Sequence, residues 1–235
     1  MITIKNLTKK FNETIILNNI NLEVKKNSTA AIIGPSGGGK SVLLKILAGL
    51  IPYESGSISI KSTNIGMLFQ KNALFDSLTV EENLLFPMRE QKGFIDSKDK
   101  KKSEHFLEEV GLNGCQKLYP NELSGGMQKR LGIARSLIIN PEVILYDEPT
   151  AGLDPITSRK IADMIINLKK EVQSTVVMVT NDMQRAFQIG DKIYLLANGD
   201  LKKGGTPEQV QASQDPALKQ FIYGLQHGPL TQEQV

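Results

Sequence analysis

Apolar and polar residues alternate at the start of the chain. Ile2-Thr3-Ile4 and Ile20-Asn21-Leu22-Glu23-Val24 have the period of two that half-buried strands require. Ser57-Ile58-Ser59-Ile60 repeats it just after the turn residues Glu54-Ser55-Gly56. Other runs are continuously apolar, as buried strands are: Thr29-Ala30-Ala31-Ile32-Ile33, Ile65-Gly66-Met67-Leu68-Phe69, Val143-Ile144-Leu145-Tyr146 and Thr175-Val176-Val177-Met178-Val179. From about Val80 to Gly111 the pattern turns helical, with Phe106, Leu107, Val110 and Leu112 on one apolar side. Pro120-Asn121-Glu122 interrupts it before Leu123. Residues 126–138 then read as a helix with Arg and Lys on its outer side. Residues 155–170 read as another, with Pro155 suited to its first turn. Strands alternating with helices predict an α/β fold with a mainly parallel sheet, and the segment 80–140 is the expected helical subdomain. No internal repeat or low-complexity linker interrupts the pattern.

A length of 235 residues fits one α/β domain, or a core with a helical insertion. A formal charge of +3 is too mild for a nucleic-acid footprint, so no nucleic-acid partner is expected. A single cysteine, Cys115, forms no intrachain disulfide and suits a reducing compartment. Met1-Ile2-Thr3-Ile4-Lys5 is not a secretory signal, and every apolar run is far short of the roughly 18 residues that suggest a membrane span. The expectation is a cytosolic protein that meets a membrane only through a partner. Two readings stand for Lys98-Asp99-Lys100-Lys101-Lys102: a solvated helix start, or a contact for anionic lipid headgroups.

The chemistry concentrates in residues 34–41, Gly-Pro-Ser-Gly-Gly-Gly-Lys-Ser. An apolar strand enters this loop and a helical pattern, Ser41-Val42-Leu43-Leu44-Lys45-Ile46-Leu47, leaves it, which is the context a phosphate-binding loop requires. The backbone of Gly34, Pro35, Ser36, Gly37, Gly38 and Gly39 can wrap N–H groups around phosphate oxygens. The helix N-terminus adds about half a positive charge. Lys40 can reach the outer phosphates and the Ser41 hydroxyl can ligate Mg²⁺. Downstream, Asp147 and Glu148 end an apolar strand, where the first can hold Mg²⁺ and the second can act as general base on water. The Gln70 amide can orient water or touch Mg²⁺. Leu123-Ser124-Gly125-Gly126-Met127 is a second glycine turn before a helix, able to hold another phosphate. Two such turns in one chain point to different nucleotides shared across a dimer.

This set, together with Ala151-Gly152-Leu153-Asp154, resembles the ATP-binding cassette transporter ATPases in the right order over nearly the whole chain. The resemblance implies a RecA-like phosphate-loop NTPase core with a mainly parallel sheet, an antiparallel β subdomain and a helical subdomain carrying the signature. It implies ATP and Mg²⁺ as cofactors, with Ser41, Gln70 and Asp147 on the metal. It implies two ATP molecules sandwiched head to tail in a homodimer, with Ser124, Gly125 and Gly126 on the γ-phosphate of the partner's ATP and Asp154 at the dimer seam. Phe11 stands where the family stacks an aromatic on adenine, unless it is a core residue. The family's γ-phosphate His is replaced by Asn181, which can donate a hydrogen bond but carries no charge. Retained ATP binding with slowed hydrolysis is therefore expected. The stretch from Ile60 to Met67 is shorter than the family's usual antiparallel excursion.

Leu74-Phe75-Asp76-Ser77-Leu78-Thr79-Val80 with Pro87 is similar to one branch, the ATPases of lipid transporters that work with Mce-domain proteins, including the Mla type. Leu74, Phe75 and Leu78 then either receive the coupling helix of a multi-span permease or pack within the helical subdomain. The expected organisation is one ATPase domain over 1–220 and a tail over 221–235. Gly224 and Gly228-Pro229 let the tail fold over a neighbour, or it is disordered. The branch implies a phospholipid-transport ATPase, peripheral on the cytoplasmic face of the inner membrane, with an Mce-domain subunit and a small regulatory subunit as further partners. An ATPase of an amino-acid or other small-solute importer, and an ATP-gated module with little hydrolysis, are the alternatives.

Overall fold

The computed structural model describes residues 1–231, and residues 232–235 of the expected tail lie outside the described residues. In chain order the elements are β1 (Ile2–Phe11), β2 (Thr14–Val24), β3 (Thr29–Ile33), α1 (Lys40–Leu47), β4 (Ser55–Ile60), β5 (Ile65–Leu68), α2 (Val80–Lys92), α3 (Ser97–Glu109), a 3₁₀ turn (Pro120–Glu122), α4 (Gly125–Leu137), β6 (Val143–Asp147), α5 (Pro155–Val172), β7 (Thr175–Val179), α6 (Met183–Ile189), β8 (Lys192–Ala197), β9 (Asp200–Gly205), α7 (Pro207–Gln211) and α8 (Pro216–Tyr223). They form two compact units. One joins residues 1–63 to the chain from Thr175 onward; the other is residues 64–174.

The first unit holds an antiparallel sheet in the order β2-β1-β4, with Ile4 opposite Leu22 on one side and Ile58 on the other. Its alternation buries Ile2, Ile4, Leu7, Leu17, Ile20, Leu22 and Val24. Strand β3 pairs in parallel with β7 and β8, and β9 returns antiparallel on β8. Every residue of β3 and β7 is buried, as their unbroken apolar runs require. The elements α6, β8, β9, α7 and α8 have no counterpart in the sequence pattern described above. They are short, five to eight residues each, too few to declare a period. Helix α8 crosses residue 220. Gly224, at φ 62°, ends it, and the chain turns back on itself. The buried Gln220 donates to Leu225 O at 3.3 Å and Thr231 Oγ1 at 2.9 Å, and accepts from Leu230 N at 2.7 Å. The described part of the tail therefore folds onto its own helix.

In the second unit β5 and β6 pair in parallel, Ile65 opposite Val143 and Leu68 opposite Tyr146. The helical stretch expected from Val80 to Gly111 is two helices. Gly93, left-handed at φ 79°, ends α2, and a capping box between Asp96 and Asp99 starts α3. Asp99 is 2% exposed and accepts from Lys92 Nζ at 2.6 Å, so the start of the lysine run is not wholly solvated. The basic residues of α4 also depart from expectation. Lys129 is buried, Arg130 donates to Val110 O and Gly111 O, and Arg135 donates to Asn72 O and Ala73 O. A long cationic side chain prefers an inward course where orphan carbonyls at a helix end or a tight turn need donors.

Candidate nucleotide site

The first unit carries the phosphate loop. Strand β3 delivers the chain to Gly34, where a Cβ would lie 2.0 Å from Leu196 O, so no larger residue fits this close approach. Gly39 is the N-cap of α1 at φ 90°, and no side chain of the loop caps that helix. The helix therefore opens without a side-chain cap, with the positive end of its dipole at the loop. Lys40 is buried, and its ammonium donates to Gly34 O at 2.7 Å and Pro35 O at 2.9 Å, which sets it across the mouth of the loop. Asn181, two residues beyond β7, donates its amide to Ser36 Oγ at 3.2 Å. The residue at the expected histidine position therefore touches the phosphate loop. Phe11 is 47% exposed and is not a core residue; the Lys9 ammonium lies 4.8 Å from its ring centroid. Lys9 in turn is fixed by Glu54 at 2.9 Å, whose carboxyl sits below its ordinary range because of Lys9 and the Lys10 backbone.

The second unit carries the acids and the second glycine turn. Strand β6, wholly buried, ends in Asp147, and Glu148 follows at φ 49°. Both carboxyls are nearly buried, 4% and 9% exposed by residue. A left-handed glutamate costs about 1–2 kcal/mol and persists where the surroundings over-determine it, a common sign of a working residue. Gln70 lies two residues beyond β5 and is exposed. Its carbonyl accepts from Lys129 Nζ at 2.9 Å. Burial pulls the Lys129 ammonium below its ordinary pKa, and Asp147 and Glu148 oppose that shift. Ser124 caps α4, accepting from Met127 N at 3.3 Å, with Gly125 and Gly126 opening the helix. Asp154 caps α5, accepting from Ile156 N at 2.9 Å and Thr157 N at 3.0 Å; the Thr157 side chain, and then these backbone bonds, hold its carboxyl below the usual range. Ser124, Gly125, Gly126 and Asp154 share the lining of a cleft of about 680 Å³ with Arg130 and Lys160.

Lys129 and Arg135 are absent from the residues the sequence singles out. The available signal is weak: each stands three positions from Gly132 on α4, so one helix face alternates cation, glycine, cation. Among the described residues, no cluster of His, Cys, Asp or Glu is large enough to hold a metal unaided. A cation here needs phosphate oxygens beside protein ligands, which is how Mg²⁺ is ordinarily held with a nucleotide.

A buried strand, a phosphate loop with an uncapped helix behind it and a strand-end acid pair define a phosphate-loop nucleotide hydrolase. The chain belongs to the ABC transporter family, whose model matches residues 17–151. It is therefore an ATPase and uses ATP with Mg²⁺. It is 37% identical over 245 residues to the intermembrane phospholipid transport system ATP-binding protein MlaF of Haemophilus influenzae, covering 98% of this chain and 93% of that one. It is 36% identical over 244 residues to the probable ribonucleotide transport ATP-binding protein mkl of Mycobacterium leprae, covering 97% and 70%. Among solved structures it is similar to an ATP-binding cassette captured as a dimer in a post-hydrolysis state with ADP and Pi, at 34% identity and a TM-score of 0.77, over 86% of this chain and 98% of the other. Within the described residues no helix is long and apolar enough to cross a membrane.

Proposed function

We propose that this nucleotide-binding subunit works as a head-to-tail homodimer and drives phospholipid movement through a multi-span permease. Gly125 carries the dimer reading. It stands at the first position of α4, and a Cβ there would meet nothing within 4 Å. Packing within the chain therefore gives no reason for glycine over alanine at this helix start. A close approach by a phosphate from outside the chain supplies the reason, since the Ser124 turn offers N–H groups and a helix dipole. Ser124, Gly125 and Gly126 then hold the γ-phosphate of the partner's ATP, with Asp154 at the seam.

Within each copy, the phosphate-loop backbone and Lys40 hold the phosphates, and Phe11 offers its open face to adenine. Ser41, Gln70 and Asp147 would hold Mg²⁺, which would supply charge neutralisation for the phosphates. Glu148 accepts a proton from the attacking water. Asn181 donates toward the terminal phosphate from beside Ser36. Phe75, 41% exposed, presents the permease contact with Leu74 and Leu78. Asn83 shapes that loop, donating to Phe75 O, Leu78 O and Thr79 O at 2.9–3.1 Å and accepting from Phe75 N. The near full-length likeness to MlaF supports phospholipid as cargo. The lipid-transporter branch that the sequence resembles adds an Mce-domain subunit and a small regulatory subunit as proposed partners, and a place on the cytoplasmic face of the inner membrane.

Glu148→Gln tests the reading. Phosphate release should fall by about 10²–10⁴, the usual worth of a general base, while MgATP now accumulates dimer. The co-purified permease should carry phospholipid. A chain that stays monomeric with MgATP in this variant sinks the dimer, and a lipid-free permease paired with a solute receptor sinks the cargo.

A further inference from the structure

One face of α4 grips the Gln70 turn at successive points. Lys129 Nζ donates to Gln70 O at 2.9 Å, and Arg135 donates to Asn72 O and Ala73 O, both at 2.8 Å. Gly132 lies between them, and a Cβ there would stand 2.8 Å from Leu68 Cδ1 and 3.3 Å from Asn72 Cβ, so the helix backbone presses directly on the turn. The gripped turn is strained. Asn72 and Ala73 are both left-handed, at φ 60° and 50°, a conformation Asn tolerates but one that costs about 1–2 kcal/mol at Ala73. Such geometry persists only where neighbours over-determine it. Lys129 itself is 3% exposed, and its charge lies in the field of Asp147 and Glu148.

We infer that Lys129 is a positioning residue that makes α4 and the Gln70 turn one rigid body, so that occupancy of the Ser124 turn sets where the Gln70 amide stands. Contact at the N-terminus of α4 moves a helix whose next turn holds the Gln70 backbone. This inference rests on the dimer reading above, in which the second copy's nucleotide occupies Ser124, Gly125 and Gly126. Arg135 anchors the far side of the turn and keeps its strained residues from relaxing when the helix shifts. Lys129 touches no substrate; it acts through Gln70.

The test is a double-mutant cycle on ATP turnover with Lys129→Ala and Gln70→Ala, with Lys129→Arg as the conservative variant. Lys129→Ala should lower kcat by about a hundredfold, the scale of a 1 Å misplacement, and leave KM for ATP within about threefold, because the phosphate loop is untouched. Lys129→Arg should recover most of kcat. In a Gln70→Ala background, Lys129→Ala should cost no more than about twofold further, since both changes remove one function. Effects that multiply in the double mutant, or a KM that rises while kcat holds, overturn the inference. So does an unrecovered kcat in Lys129→Arg with an unchanged melting temperature. ATP-driven dimerisation of Glu148→Gln is measured alongside: its failure removes the dimer reading, whereas a dimer that forms while the cycle is additive removes the coupling alone.

Discussion

Helices α1 and α4 both begin at glycine turns, yet their glycines answer to different demands. Gly39 is fixed from within. Its φ of 90° is left-handed, and a Cβ would crowd Leu17 Cδ2 at 3.0 Å and Ile16 Cγ2 at 3.1 Å. Gly125 has neither constraint, with open space where its side chain would be. The first turn is complete in one chain; the second leaves open space, in keeping with the proposed dimer. The caps agree. No side chain closes the N-terminus of α1, while Ser124 closes α4 with one long bond of 3.3 Å. The first helix start has no side-chain acceptor over it, whereas the second is held in shape by a hydroxyl of its own chain.

Alanine at each glycine separates the two cases. Gly39→Ala should cost about 1–2 kcal/mol, lower the melting temperature by roughly 2–8 °C and weaken ATP binding to the single chain by about a hundredfold or more. Gly125→Ala should leave both unchanged in the monomer. In the Glu148→Gln background it should nonetheless weaken ATP-driven dimerisation by about tenfold or more, read by sedimentation. A Gly125→Ala dimer as tight as its parent would show that the open space serves no partner, and the contrast between the turns would vanish.

Asn181 sharpens the picture on the side of the complete turn. Its amide reaches Ser36 Oγ at 3.2 Å, so it stands beside the phosphate loop with a hydrogen bond but no charge to offer. Asn181→His in the assembled transporter should raise turnover by about tenfold, a gain smaller than the 10²–10³ of a full oxyanion donor because the amide already supplies a hydrogen bond. Unchanged turnover would mean that the neutral donor suffices.

The two turns also differ in what the sequence reveals. Residues 34–41 and the acids after β6 are legible because their chemistry is local: strand, loop and helix follow one another, and a two-sided burial leaves unbroken apolar runs in β3, β6 and β7. The inward course of Lys129 and Arg135 is not legible. Their partners are backbone carbonyls some 60 residues away, at separations of 59 for Gln70 and 62–63 for the next two, and a carbonyl has no residue type to announce it. The left-handed Glu148 is hidden for a similar reason, since its φ is imposed by packing. The break between α2 and α3, by contrast, is written in Gly93 and the pair Asp96 and Asp99, a helix stop followed by a capping box, which the apolar periodicity alone passes over.

Helix α5 supplies the smallest test, because it closes its N-terminus with a charge. Asp154 accepts from Ile156 N and Thr157 N, and the Thr157 side chain, with these bonds after it, depresses its pKa below the ordinary value of 3.8. A carboxyl depressed in the folded state contributes stability above its unfolded pKa, and loses it as pH falls through the lower folded value. The melting-temperature gap between wild type and Asp154→Ala should therefore be constant near neutrality and shrink below about pH 4. Asp154→Asn, which keeps an acceptor oxygen but does not titrate, should hold most of the cap with no such acid dependence. Gly39→Ala removes no titrating group, so its loss should be the same across that window. A gap for Asp154→Ala that persists undiminished to pH 2 would mean the carboxylate's charge does not matter to this cap, and that α5, like α1, is held by backbone geometry and packing instead of by its own side chain.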